Sequence, residues 1–152
     1  MPDQDSVTAD IHVAAPADRV FAVITDPEQV GLWWGDNSIY RARKWQSDLR
    51  KGGKWRADGK GADGSDFYVG GEYLEVDPPR LLVHTWVSSY MPEKTIVRWE
   101  LTPEKDGTRV VVHHSGFAGN VEQAKSHSQG WFCVLGWMLA YVDRGETVDT
   151  RL

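Results

Sequence analysis

A change of hydrophobic periodicity near Gly116 constrains the fold of this 152-residue chain more than any other feature. Before this point, short runs alternate between apolar and polar residues, as in residues 96–101, which is typical of strands with one buried face. After it, apolar residues recur every three or four positions, which predicts one long helix from Asn120 or Val121 to Arg144. The apolar faces of the sheet and of the helix must be buried on each other, so the pattern predicts an α+β domain of two layers.

Turn signals set the expected number of strands. Residues 38–117 contain six strand-like runs, and residues 7–14 alternate in the same way, so we expect a seven-stranded antiparallel meander. The runs are separated by five turn signals, at residues 48–52, 61–65, 78–79, 91–93 and 104–107. Two short helices should follow the first strand, the second of them capped by Asp26 and started by Pro27. The register of residues 67–76 stays open, because both faces of that run carry apolar residues.

The size and charge of the chain limit its classes of partner. We expect one domain, residues 1–152, because a chain of this length buries roughly 70% of its unfolded surface and needs no disulfide or metal to fold. The net charge of -5 argues against nucleic-acid binding, which depends on Lys and Arg. Cys133 is the single cysteine, and no apolar run reaches the length of a membrane span. We therefore expect a cytoplasmic location, and the sequence leaves a homodimer open.

No motif of metal, cofactor or nucleophile chemistry stands out. His113, His114, His127 and Cys133 are of metal-ligand type, but adjacent strand residues point to opposite faces, so the first two cannot easily share an ion. Cys133 lies in the apolar helix, where a thiol is generally inert. The glycines and aspartates of residues 58–66 are typical of a hairpin turn. We therefore predict no metal site and no cofactor.

Eight tryptophans are the strongest compositional signal of function. Such wide and rigid side chains either fill a thick core or line a pocket. A curved sheet cannot pack tightly along the full length of a straight helix, so space remains between the two layers unless large side chains fill it. The sequence alone therefore leaves two roles open for the tryptophans: packing in the core and lining a pocket.

A series of short motifs, in order along the chain, resembles a known family. The motifs are APADRVF at 15–21, LWW at 32–34, DLRKGGKW at 48–55, GEYLEVDPPRLL at 71–82, TW at 85–86, GTRV at 107–110, HSGF at 114–117 and GW at 130–131. They resemble the family of homologues of the activator of heat-shock-protein-90 ATPase, which belongs to the START-like, or SRPBCC, superfamily. The resemblance implies the helix-grip fold of the major birch pollen allergen, in which a seven-stranded curved antiparallel sheet surrounds a long C-terminal helix.

The same resemblance implies an internal cavity between the sheet and the helix. Its implied lining residues are Trp33, Trp86, Val97, Trp99, Leu101, Val112, His114, Trp131, Leu135 and Met138. The family places Trp33, together with Trp34, at the lip of the cavity. A hydrophobic or aromatic small molecule is then the expected partner, with ordinary core packing as the alternative at each position.

His114 is the one polar residue of this implied lining. An imidazole on an apolar face needs a hydrogen-bond partner, which either the protein or a ligand supplies. The superfamily also contains polyketide cyclases and aromatases, so a second hypothesis is an enzyme in which His114 acts as the acid or base. A third hypothesis is a protein-interaction module of the co-chaperone type.

Overall fold

An antiparallel sheet curved around one long helix forms the framework of the protein. The computed structural model describes residues 6–90, 93–117 and 120–150. Within these ranges the strands are β1 Ser6–Val13, β2 Gly35–Asp36, β3 Tyr40–Ser47, β4 Lys54–Gly61, β5 Asp66–Asp77, β6 Leu81–Ser88, β7 Thr95–Glu104 and β8 Gly107–Ser115. The helices are α1 Ala17–Thr25, α2 Pro27–Trp33 and α3 Val121–Arg144.

The predicted helix-grip architecture is confirmed, with one correction to the strand count. The strands follow the order β1-β8-β7-β6-β5-β4-β3-β2, and every neighbouring pair is antiparallel. The described residues form eight strands instead of seven, because Gly35 and Asp36 pair with the start of β3 as a two-residue edge strand. Of the predicted turn at residues 91–93, Met91 and Pro92 lie outside the described residues.

The long helix begins and ends where its capping residues predict. Asn120 precedes the first turn, and its side-chain oxygen accepts a hydrogen bond from the backbone N–H of Gln123 at 3.1 Å. Gly145 ends the helix with a φ of 70°, in the left-handed region that glycine adopts without a steric penalty. No helix in the described part of the chain is long and apolar enough to cross a membrane.

A bulge in β5 explains why its register could not be predicted. Tyr73 pairs with His84 and Glu75 with Val83, so β5 has one residue more than β6 between these pairs. The extra residue inverts the alternation of side chains along the strand. The buried positions therefore switch between odd-numbered and even-numbered residues within one run. In the sequence, apolar residues then occur at both kinds of position.

The core lies between the concave face of the sheet and the inner face of α3. The helix buries Trp131, Val134, Leu135 and Met138 there. The Trp131 ring packs edge-on against Trp99 of β7, with their centroids 5.3 Å apart. Burying each Val, Leu or Met side chain of this kind contributes about 1.5–3 kcal/mol, so this face holds the helix in place.

Candidate functional site

A cavity of about 240 Å³ lies between α3 and the strands β3, β5 and β6. Its lining residues, which we call the cavity wall, are Trp34, Tyr40, Ala42, Trp45, Phe67, Val69, Trp86, Tyr90, Ser126, His127, Gly130, Trp131 and Val134. A dry engineered cavity of about 150 Å³ is large enough to hold benzene. The cavity therefore has room for a small aromatic guest of one or two rings.

Trp34 organises the aromatic part of the cavity wall. Its ring centroid lies 5.3 Å from that of Trp45, 6.4 Å from that of Trp86 and 6.0 Å from that of Trp131. These separations are typical of favourable aromatic contacts. Trp34 directly follows the last residue of α2 and has an extended backbone conformation. The end of this short helix therefore directs the Trp34 ring towards the concave face of the sheet. The wall is rigid because four wide rings support one another.

A bulge in β3 brings Trp45 to the cavity. Around Lys44, β3 has one residue more than β4 between the flanking pairs, and Lys44 has a φ of 56°. A bulge with a left-handed residue bends the strand and changes which side chains face inward. Ala42 and Trp45 therefore both line the cavity, although they lie three positions apart in the same strand.

Two buried nitrogen atoms of residues in the cavity wall, Nε1 of Trp45 and Nδ1 of His127, have no hydrogen-bond partner among the described residues. Most buried polar atoms in proteins are paired, and leaving one unpaired costs about 1–3 kcal/mol. Both atoms are almost completely enclosed by protein, so the aromatic rings of the wall, and not these nitrogens, face the space inside the cavity.

Two tyrosines add hydroxyl groups to the cavity wall. The Tyr40 hydroxyl accepts a hydrogen bond from Nε1 of Trp34 at 2.9 Å. Burial raises the pKa of Tyr40 well above its usual range, so this hydroxyl keeps its proton. Partial burial of its hydroxyl end also raises the pKa of Tyr90, whose side chain is about half exposed, and hydrogen bonds with Ser88 and Trp86 oppose that rise.

The tryptophans named in the sequence analysis fall into different environments. Trp86 and Trp131 line the cavity, as does Trp34 from the predicted lip. Trp33 is fully buried beside them, and its indole N–H donates to the carbonyl oxygen of Val23 at 3.0 Å. The structure therefore brings two of the ten predicted lining residues to the cavity wall.

The other predicted residues lie in the packed core. Trp99 borders a smaller pocket of about 40 Å³. The remaining positions are buried and outside the cavity wall: Val97, Leu101, Val112, His114, Leu135 and Met138. Ligand contact at these positions stays a prediction.

His114 makes hydrogen bonds within the protein through both ring nitrogens. Its Nδ1 accepts from Nε1 of Trp131 at 3.1 Å, and its Nε2 lies 2.7 Å from Oγ1 of Thr95. Thr95 donates its hydroxyl proton to the carbonyl oxygen of Trp86, so the network assigns the imidazole proton to Nε2. Burial, followed by the nearby His127 and His84, lowers the pKa of His114 to about 2. The ring is therefore neutral.

His84 forms a second pair of the same kind. Its Nδ1 donates to the carbonyl oxygen of Thr85 at 2.9 Å, and its Nε2 accepts from Nε1 of Trp99 at 3.1 Å. Burial lowers the pKa of His84 to about 4. Like His114, this imidazole is neutral and satisfied inside the protein.

His127 differs from both, because it is the histidine of the cavity wall. Its ring packs on His114 and Phe117, with centroids 4.8 Å and 5.2 Å apart. Burial lowers the pKa of His127 to about 4, so it too is neutral. Sequence reasoning considered His127 only as a metal ligand, although its spacing to Trp131 and Val134 places all three on one helix face.

Tyr40, Trp45 and Phe67 also belong to the cavity wall, and the sequence pattern did not reveal them. Trp45 could not be predicted because a bulge turns it inward, and such a bulge is not evident from the alternation of apolar and polar residues. Phe67 lies in the run whose register was open. Trp45 and Phe67 thus lie in the two strands whose pairing is irregular, β3 and β5.

Comparison with known proteins identifies the family of the chain. Residues 14–143 match the family described as Activator of Hsp90 ATPase homolog 1-like protein. The chain belongs to this family. The resemblance drawn from the short motifs is thereby confirmed. No curated protein matches the chain significantly.

Solved structures share the fold of this family member. The protein CV1439 from Chromobacterium violaceum is 22% identical with a TM-score of 0.80, over 93% of this chain and 99% of that one. CalU16 from Micromonospora echinospora is 24% identical with a TM-score of 0.69, over 92% and 77%. DynU16, a protein of the dynemicin biosynthetic locus, is 23% identical with a TM-score of 0.77, over 99% of this chain and 51% of DynU16. These similarities establish the fold.

Proposed function

We propose that this protein binds a hydrophobic or aromatic small molecule in the cavity between α3 and the sheet. The observation that carries the proposal is the cavity of about 240 Å³, which is walled largely by tryptophan, tyrosine and phenylalanine side chains. Apolar walls with a few convergent polar groups are typical of ligand sites. The membership of DynU16 in a biosynthetic locus is consistent with small-molecule handling by proteins of this fold.

Binding without catalysis fits the titratable groups best. His114, the acid or base of the enzyme hypothesis, has both ring nitrogens engaged and lies outside the cavity wall. His127 lines the cavity, but a pKa of about 4 makes it a weak base near neutral pH. The cyclase or aromatase hypothesis, the co-chaperone hypothesis and the cytoplasmic location stay predictions.

Tetralin, a bicyclic hydrocarbon, is a suitable probe because it has the size and the apolar character that the cavity wall favours. We expect saturable binding with one site per chain, measured by isothermal titration calorimetry. The heat-capacity change of binding should be negative, because apolar surface is buried. A protein that shows no saturable binding of tetralin or of comparable aromatic hydrocarbons would contradict the proposal.

A matched pair of glycine variants locates the binding site. Gly130 and Gly136 both lie in α3, and a Cβ at either position would meet no atom within 4 Å. Gly130 lines the cavity, whereas Gly136 is exposed to solvent. Gly130→Leu should fill the cavity and weaken tetralin binding at least about tenfold, as expected for direct steric competition. Gly136→Leu should leave the affinity unchanged, and equal effects of the two variants would place the site elsewhere.

A further inference from the structure

We propose that Trp45 limits the size of the guest that the cavity accepts, because its ring separates the cavity from the smaller pocket beside it. The inference rests on the proposed binding function and adds a residue that determines specificity. Without the Trp45 indole, the two spaces would form one longer site.

The smaller pocket, which we call the second pocket, shares part of the cavity wall. It has a volume of about 40 Å³ and is bordered by residues of α1, α2 and the strands β3 to β7. Three side chains border both spaces: Trp34, Trp45 and Trp86. Side chains that border two spaces lie between them, so these three rings form a partition. The second pocket is much smaller than the dry cavity of about 150 Å³ that holds benzene, so it cannot hold an aromatic ring on its own.

Two of the three partition rings are tied to the surrounding core. Nε1 of Trp34 donates a hydrogen bond to the Tyr40 hydroxyl at 2.9 Å, and only 6% of Trp34 is exposed. Trp86 is 7% exposed, and its ring centroid lies 5.9 Å from that of His114 and 6.0 Å from that of Trp131. Removing either ring would therefore disturb the core as well as the partition.

Trp45 is less firmly held than the other two partition rings. It is half-buried, and its Nε1 has no hydrogen-bond partner among the described residues. Its ring lies between two other indoles, with its centroid 5.3 Å from that of Trp34 and 6.1 Å from that of Trp55, on which it stacks. Trp55 borders the second pocket but not the cavity. Replacing Trp45 should therefore open the partition and leave the core in place.

Two probes of one chemical kind measure the length of the site. 2-Naphthol has two fused rings and 2-anthrol has three in a row, and both are fluorescent and uncharged near neutral pH. We expect the wild-type protein to bind 2-anthrol at least about tenfold more weakly than 2-naphthol, because the partition blocks the third ring. The ratio of the two dissociation constants in one variant cancels most effects of that variant on binding in general.

Trp45→Ala should favour the longer probe. The affinity for 2-anthrol relative to 2-naphthol should rise at least about tenfold over the wild-type ratio, since the third ring then buries its apolar surface in the joined space. Val30→Ala is the control, because Val30 borders the second pocket but not the cavity, and its truncation enlarges that pocket without opening the partition. The ratio should stay within about twofold of wild type in this control. If Trp45→Ala does not fold, Trp45→Leu should raise the ratio in the same direction.

A double variant shows where the third ring lies. Val30→Phe fills the second pocket from α2, so adding it to Trp45→Ala should remove most of the gain for 2-anthrol. A gain that persists undiminished in the double variant would mean that the third ring occupies only the space of the lost indole. That result would overturn the joining of the two spaces.

The remaining outcomes separate this inference from the proposed function. If 2-naphthol binds and Trp45→Ala changes the ratio by less than about twofold, Trp45 does not limit the guest, while the proposed function stands. Equal affinity of the wild-type protein for both probes would lead to the same conclusion. If neither probe binds to the wild-type protein or to Trp45→Ala, the proposed function itself fails.

Discussion

The core and the cavity wall use the same side chains, tryptophan and histidine, in opposite ways. In the core, Trp99 donates to His84 and Trp131 donates to His114, and the second nitrogen of each imidazole also has a partner. At the cavity wall, Trp45 has a buried nitrogen without a partner. All of these core nitrogens are therefore paired, whereas the cavity wall leaves Nε1 of Trp45 unpaired. Closed networks specify a unique core, whereas an unpaired buried group lowers the stability of the region that holds it.

Trp131 connects the two regions. Its N–H is committed to His114 at 3.1 Å, while its ring borders the cavity. Trp86 makes a similar connection, since its carbonyl oxygen accepts from Thr95 and its ring lines the cavity. The closed network of the core thus fixes the orientation of the Trp131 ring and the backbone position of Trp86. Perturbing the core should therefore disturb the wall.

The largest effect should come from opening the closed network at His114. His114→Ala removes the acceptor of the Trp131 N–H and leaves a cavity in a fully buried site. We expect the free energy of unfolding to fall by about 3 kcal/mol, the sum of an unpaired donor and a packing defect. Urea denaturation followed by tryptophan fluorescence measures this change.

The adjacent histidine is the control for this variant. His113 lies on the other face of β8, and its Nδ1 is 2.8 Å from the hydroxyl of Thr8 in an exposed setting. His113→Ala should therefore cost no more than about 1 kcal/mol. If the two variants were equally destabilising, the distinction between a closed buried network and a surface contact would be lost.

A smaller effect should follow from acidification. The pKa of His84 is about 4 in the folded protein, below its ordinary value, so the unfolded chain binds more protons as the pH falls below about 6.5. The contribution of the neutral His84 ring to the free energy of unfolding is thus fully present above about pH 6.5, and it is lost as the pH falls towards 4. By about pH 4.5, His84 alone should reduce the free energy of unfolding by about 2 to 3 kcal/mol relative to pH 7.

Urea denaturation of variants at both pH values assigns this loss to the buried ring. His84→Gln retains an acceptor for the Trp99 N–H and has no titratable group, so the loss on acidification should shrink by about the stated amount. His113→Gln, on the outer face of its strand, should leave the loss unchanged. An undiminished loss in His84→Gln would show that His84 is not a source of the pH dependence.

Sequence reasoning succeeded where the pattern was regular. The long helix was predicted from periodicity with bounds that agree with Val121–Arg144, and the strands between turn signals were largely correct. It failed where one extra residue in β3 or β5 inverted the alternation, as at Lys44. Whether a buried nitrogen is paired depends on partners distant in sequence, such as His114 and Trp131. The closed and open groups therefore could not be separated before the structure was known.

The smallest effect tests whether the cavity wall is open in the absence of a ligand. Replacing glycine by alanine inside a helix stabilises it by about 0.5–1 kcal/mol, provided that the added methyl group meets no neighbour. Gly136→Ala should give this gain on the exposed face of α3, and Gly130→Ala should give the same gain at the cavity. In a core packed as tightly as the surroundings of His114, the extra methyl group would instead destabilise the protein. Equal gains in thermal or urea stability therefore require free space beside Gly130, and a loss at Gly130 alone would mean that the wall is as closed as the core.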